Sequence, residues 1–165
     1  MTVTPPTLHM LCGKIASGKS TLAAKLARRE GTVLISEDAW LSTLFTDQMS
    51  TGADYVRCSA KLRQIMGPHV AALLNAGVSV VLDFPANTPE TRKWMRKILD
   101  LTGAAHELHL FDLPDDLCLA RLRKRNAEGT HAFAVTEDLF HRFSRNFVPP
   151  SPDEGFTIVV HGETG

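Results

Sequence analysis

The stretch LCGKIASGKSTLA, residues 11–23, decides the fold. Within it, Gly13-Lys14-Ile15-Ala16-Ser17-Gly18-Lys19-Ser20 satisfies the spacing G-x-x-x-x-G-K-[ST]. The apolar run LHMLCG (residues 8–13) precedes the loop and reads as a buried strand. A helical pattern follows from about Lys19 to Arg29, with Arg28 and Arg29 in its last turn. Strand, loop and helix in that order give the spacing a physical meaning. The glycines let the chain curl until successive backbone N–H groups face one anion, and the helix N-terminus adds its partial positive charge. The loop from Gly13 to Ser20, with Thr21 behind it, is therefore a candidate phosphate cradle. Lys19 is expected to reach the outer phosphates of a nucleotide, and the Ser20 hydroxyl to ligate Mg²⁺.

Outward from the loop, apolar runs alternate with helical patterns. TVLIS (32–36), VSVVLDF (78–84), HELHLFDL (106–113) and FTIVVHG (156–162) read as further strands. A helix is expected from about Tyr55 to Asn75, stopping at Gly77. Another has Thr88 as N-cap, Pro89 at its first position and Gly103 past its end. Pro114 and two acids open PDDLCLARLRKRN, and Thr136 caps TEDLFHRFSRNF. The expected architecture is α/β: a five-stranded parallel sheet flanked by helices, with its site at the carboxyl ends of the strands. Residues 1–7 read as a flexible arm, 8–165 as one domain, and about 126–135 as a short lid.

Two acids fall at the ends of the second and third strands, Asp38 in ISEDAW and Asp83 in VVLDF. Phosphoryl transfer needs a carboxylate there to take the acceptor hydroxyl's proton, a role that suits Asp38; the alternative is an N-cap for the following helical turn. Glu37 is turned away from its neighbour by strand alternation. Asp83 holds Mg²⁺ through water or touches the acceptor. Asn87 faces the acceptor or shapes the turn. Arg121, Arg123, Lys124 and Arg125 form a basic run, in which 121 and 125 share a helix face. Arg125, nearest the loop, is the leading candidate to neutralise charge on a transferring phosphate, and Arg121 the second. Trp40, and Tyr55 with Arg57, wall an acceptor pocket or belong to the core. His131 touches substrate or is simply exposed. His9 and His109 are expected as hydrogen-bonded core or edge residues.

The bulk numbers narrow the class. Lys+Arg and Asp+Glu both number 18 in 165 residues, which argues against bulk electrostatic binding to nucleic acid or membrane. Three widely spaced cysteines without C-x-x-C fit reduced thiols, not a disulfide framework or zinc site. No apolar run approaches the roughly 18 residues of a membrane span, and MTVTPPT lacks the regions of a signal peptide. A cytoplasmic protein is expected. The guanine-reading N-K-x-D is absent, and DLTG (100–103) lies at a helix end, so a GTPase switch is disfavoured.

With the loop, the two acids and the arginine helix in order, residues 8–147 resemble the small P-loop kinases of an AAA-type group related to phage polynucleotide kinase, zeta toxins and chloramphenicol phosphotransferase. ISEDAW is similar to the segment that carries the general-base aspartate in polynucleotide kinases, which implies that role for Asp38. VVLDFPANTPETRKWMRKI and HLFDLPDDLCLARLRKRN are similar to the group's third strand with its helix, and to its fourth strand with the helix leading into the lid. The resemblance implies a nucleoside-monophosphate-kinase-like fold, ATP, Mg²⁺ and transfer to a hydroxyl of a small molecule. Polynucleotide 5′-hydroxyl kinase and a nucleotide-hydrolysing regulatory ATPase are the alternatives. Leu41 stands where polynucleotide kinases carry an Arg, and RNAEGTH lacks the Arg usual in the lid; both departures count against a nucleic-acid acceptor. The acceptor's identity and the oligomeric state are not written in the sequence.

Overall fold

In the computed structural model, which describes residues 5–129 and 135–162, the five strands all run parallel in the order β2-β3-β1-β4-β5. They are β1 (Thr7–Gly13), β2 (Thr32–Ser36), β3 (Ser79–Pro85), β4 (Ala105–Phe111) and β5 (Ile158–His161). Six helices connect them: α1 (Lys19–Ala27), α2 (Glu37–Leu44), α3 (Gly52–Asn75), α4 (Pro89–Thr102), α5 (Asp115–Glu128) and α6 (Glu137–Asn146). The expected α/β class and parallel sheet are what the chain adopts. Among the described residues, no helix is long and apolar enough to cross a membrane.

Strand alternation sorts the side chains onto two unlike faces. Leu8, Met10 and Cys12 of β1 join Val80, Leu82 and Phe84 of β3 and Leu108 of β4 beneath α3 and α4, which contribute Leu62, Met66, Val70, Met95 and Ile98. This is the main core. The opposite face carries a smaller cluster, Leu11, Val81 and Phe111 against Ala23 and Leu26 of α1. His9, also on this second face, is buried beside His109. α3 packs closely on α4 at Gly67: a Cβ there would lie a tight 3.2 Å from Trp94 Nε1, which donates to the Arg63 carbonyl at 3.1 Å.

Local chemistry sets the helix ends. Thr51 and Asp54 form a capping box at the start of α3, Thr88 and Thr136 cap α4 and α6, and Gly103 ends α4 in the left-handed conformation at φ 64°. Three sequence boundaries are corrected. The turn after β2 is a helix of two turns capped by Ser36, whose Oγ accepts from Ala39 N at 3.3 Å, so Asp38 is not the cap. Thr7 belongs to β1 and not to an arm, because its N–H donates to Ser79 Oγ at 3.0 Å. Residues 126–128, expected in a lid, continue α5, and Gly129 at φ 62° ends it. The rest of the expected lid, 130–134 with His131, lies outside the described residues.

A third cluster packs α5 and α6 on the phosphate loop: Leu113, Cys118, Leu122 and Phe140, with Ile15 and Ala16 against them. Arg92 ties the segment after α6 to the turn before α4. Its buried guanidinium pairs with Glu154 at 2.7 Å and donates to the Ala86 and Val148 carbonyls at 2.9 and 2.7 Å. All three cysteines are buried free thiols, as expected of a chain without a disulfide framework.

Candidate active site

The loop between β1 and α1 curls as its glycines allow. Gly18 sits at φ 106°, where side chains are strained, and Ser17 N donates back to the Lys14 carbonyl at 3.2 Å. A Cβ on Gly13 would meet Ser17 Oγ at 2.7 Å and Phe111 Cβ at 2.9 Å, so only glycine fits. Ala16 also has a left-handed backbone, φ 62°, without glycine's freedom. Lys19 folds over the loop, its Nζ donating to the Gly13 and Lys14 carbonyls at 2.6 Å. Burial pulls its pKa down to about 8, partly offset by the Asp83 carboxylate. The Ser20 and Thr21 side chains stand exposed in the first turn of α1. Lys14 does not turn into the cradle: it pairs with Asp115 at the start of α5 and lies 5.8 Å over the Phe147 ring.

Above the loop, the acids and cations converge from four elements. Asp83 rises from β3, and its carboxyl is held above the ordinary range, first by burial and then by the charge of Asp38, with Lys19 opposing both. Asp38 stands exposed in the first turn of α2. From α5, Arg125 is lowered by burial and drawn back by Asp38, and its Nε is buried without a hydrogen-bond partner among the described residues. Arg121 lies over the loop, with a terminal nitrogen 3.9 Å from where a Gly18 Cβ would be. Arg123 points away and pairs with Glu137, while Lys124 is exposed. The i, i+4 spacing thus separates the two arginines that face the loop from the cations that do not.

The sequence profile of the AAA domain matches residues 8–150. The chain belongs to this family. No curated protein matches it. Solved structures share its fold at low identity. A candidate kinase from Chloroflexus aurantiacus J-10-fl is 22% identical, with a TM-score of 0.76 over 99% of this chain and 88% of that one. A sugar kinase from Janibacter sp. HTCC2649 is 19% identical, with a TM-score of 0.66 over 96% and 86%. The APS kinase of Mycobacterium tuberculosis, solved with AMPPNP and APS, is 21% identical, with a TM-score of 0.56 over 81% and 78%. The fold of this AAA-domain protein is therefore that of P-loop kinases.

The remaining expected residues divide. Asn87 spends its side chain on the loop, its Oδ1 accepting from Gly13 N and its Nδ2 donating to Gly13 O, both at 2.9 Å. It shapes the cradle instead of facing an acceptor. Arg57 binds Asp54 and the Gln48 carbonyl at the start of α3. Trp40 lines a shallow apolar groove with Ile65, Pro68 and His69, a set that contains none of the converging acids or arginines. Leu41 is core, 1% exposed, so this position faces inward. Sequence reasoning missed Ser59 and Arg63, and set Glu37 aside without its partners. The buried Glu37 carboxylate accepts from Tyr55 Oη and from Ser59 Oγ at 3.0 Å, and Arg63 donates to Ser59 Oγ at 2.8 Å. Burial raises the Glu37 pKa against these hydrogen bonds. The available signal was the spacing: residues 55, 59 and 63 form a polar i, i+4, i+8 line on an otherwise amphipathic helix.

Proposed function

We propose that this AAA-domain protein is an ATP-dependent phosphotransferase that moves the γ-phosphate of MgATP to a hydroxyl of a small molecule. The observation that carries the reading is that Asp38 and Lys19 both act on the charge of Asp83, and Asp38 on that of Arg125, beside a glycine-built phosphate cradle. The residues fit the nucleotide. A buried ammonium whose pKa has fallen to about 8, only partly offset by Asp83, suits a further anion, and among the described residues Arg125 Nε has no acceptor. Mg²⁺, when bound, neutralises charge on the phosphate oxygens. Ser20 would hold it, with Asp83 touching it through water.

In this reading the loop amides and Lys19 fix the phosphates. Asp38 accepts the acceptor's proton as the oxygen–phosphorus bond forms and the bond to the ADP oxygen breaks. Arg125 and Arg121 balance the charge that spreads over the transferring group. The neighbours' names point to sugars and APS as the first acceptors to try. Acceptor-dependent ADP release should fall by about 10²–10⁴-fold in Asp38→Asn while nucleotide affinity stays within about threefold. Full transfer activity in the variant would remove Asp38 as the base. ADP release independent of any hydroxyl would favour a regulatory ATPase, and transfer to a 5′-hydroxyl oligonucleotide a polynucleotide kinase.

A further inference from the structure

We propose that the second face of the sheet holds a divalent transition-metal site built from His9 of β1 with Glu107 and His109 of β4. It is independent of the phosphate loop and goes beyond the phosphotransferase reading. Register brings the three together: His9 lies opposite Glu107, and His109 opposite Leu11. Alternation then points all three side chains to the same face. His9 Nδ1 and His109 Nε2 are 3.2 Å apart, and Glu107 Oε2 is 3.6 Å from the first and 3.3 Å from the second. A tetrahedral ion with bonds of about 2.0–2.1 Å sets its ligands about 3.3 Å apart, so the three separations form one face of such a tetrahedron.

The surroundings agree with this. His109 Nδ1 makes a 2.9 Å hydrogen bond to His161 Nε2 on β5, which leaves its Nε2 to face the ion and fixes the ring. The two histidines are 3–4% exposed, whereas the Glu107 side chain is 42% exposed and leaves an approach from solvent. The His9 and His109 rings are stacked at 27°, with Nδ1 of one 3.2 Å from Nε2 of the other. The pair holds either a proton on the line between the two nitrogens or an ion set off that line and bound by both lone pairs. Two imidazoles and a carboxylate suit Zn²⁺, with Co²⁺ as its spectroscopic substitute, and leave a fourth position for water. Arg29 at the end of α1 is the cation whose charge reaches both histidines, so Glu107 supplies the compensating anion. An ion here would pin β1 to β4.

The test uses the untagged full chain, freed of metal by chelator and titrated with Co²⁺ and then Zn²⁺ without nucleotide or Mg²⁺. One equivalent of Co²⁺ should bind with the intense visible bands of four-coordinate cobalt, Zn²⁺ should displace it, and Zn²⁺ should raise the melting temperature. Glu107→Gln, at a half-exposed position that leaves the core intact, should weaken binding at least about tenfold, and His161→Phe by about 10–100-fold. Ser20→Ala should bind cobalt as wild type does. Absence of binding at about 1 mM Co²⁺ would mean the histidines only share a proton, and the proposal fails. It also fails if Glu107→Gln binds as tightly as wild type or if Ser20→Ala abolishes binding.

Discussion

The phosphate loop and the contact between α2 and α3 are built on opposite plans. The loop works through its backbone. Its shape is set by glycine torsions and by Asn87, which grips both polar groups of Gly13. The α2–α3 side works through side chains that meet from residues about twenty apart, with Glu37 receiving Tyr55 and Ser59. The loop offers the same backbone N–H at every residue, whereas on the helical side each hydroxyl and carboxylate has its own partner. Arg125 joins the two electrostatically: its charge acts on Lys19 of the loop, and Asp38 of α2 draws it.

The largest break in this contrast should come at that junction. Arg125→Ala should lower the transfer rate by about 10²–10³-fold with little change in nucleotide affinity, measured by single-turnover kinetics. An equal loss of affinity would assign Arg125 to holding the nucleotide alone. Next comes pH. Lys19 binds an anion in its protonated form, and its pKa without ligand is about 8. Nucleotide affinity should therefore be level up to about pH 8 and then fall by up to tenfold per pH unit; a flat titration to pH 9.5 would contradict the burial of Lys19.

On the helical side, Glu37→Ala strands the Tyr55 and Ser59 hydroxyls and should cost about 2–3 kcal/mol in denaturant unfolding. Glu37→Gln separates charge from shape. The folded-state pKa of Glu37 is raised, so the stability this group lends is present at acid pH and lost as pH rises. The melting temperature of Glu37→Gln should therefore gain on wild type between pH 4 and pH 7. On the loop side, Asn87→Ala removes two hydrogen bonds to Gly13 and should cost about 1–2 kcal/mol, with nucleotide binding weakened several-fold in calorimetry. The smallest effect is expected at Ala16: Ala16→Gly relieves a left-handed alanine and should add about 0.5–1 kcal/mol of stability.

The same contrast explains what was legible in the sequence. The loop is contiguous, so spacing and flanking periodicity revealed it, and the parallel strands announced themselves as apolar runs. The i, i+4 relation of Arg121 and Arg125 also survived, because helix geometry is local. Glu37 was misjudged because strand alternation was extended past Ser36, where the chain is already helical and successive residues turn by about 100°. Alternation did separate Glu37 from Asp38, but nothing local shows that Glu37 turns in to meet Tyr55. Asn87 reads as a turn residue because its partner Gly13 is 74 positions away. The histidine pair was expected as hydrogen-bonded core or edge residues, and both are buried and bonded to each other; that His9 and Glu107 stand side by side depends on strand register, which no single stretch of sequence contains.

The two ties at the ends of the α5–α6 pair have a mechanical consequence. Lys14 holds Asp115 at one end, while Asn87 O receives Val148 N at 2.8 Å and Arg92 grips the Val148 carbonyl at the other. Tied at both ends and packed on the loop through Leu113, Cys118 and Leu122, α5 acts as a ruler: Arg121 and Arg125 stand one helical turn apart, at a spacing that helix geometry fixes.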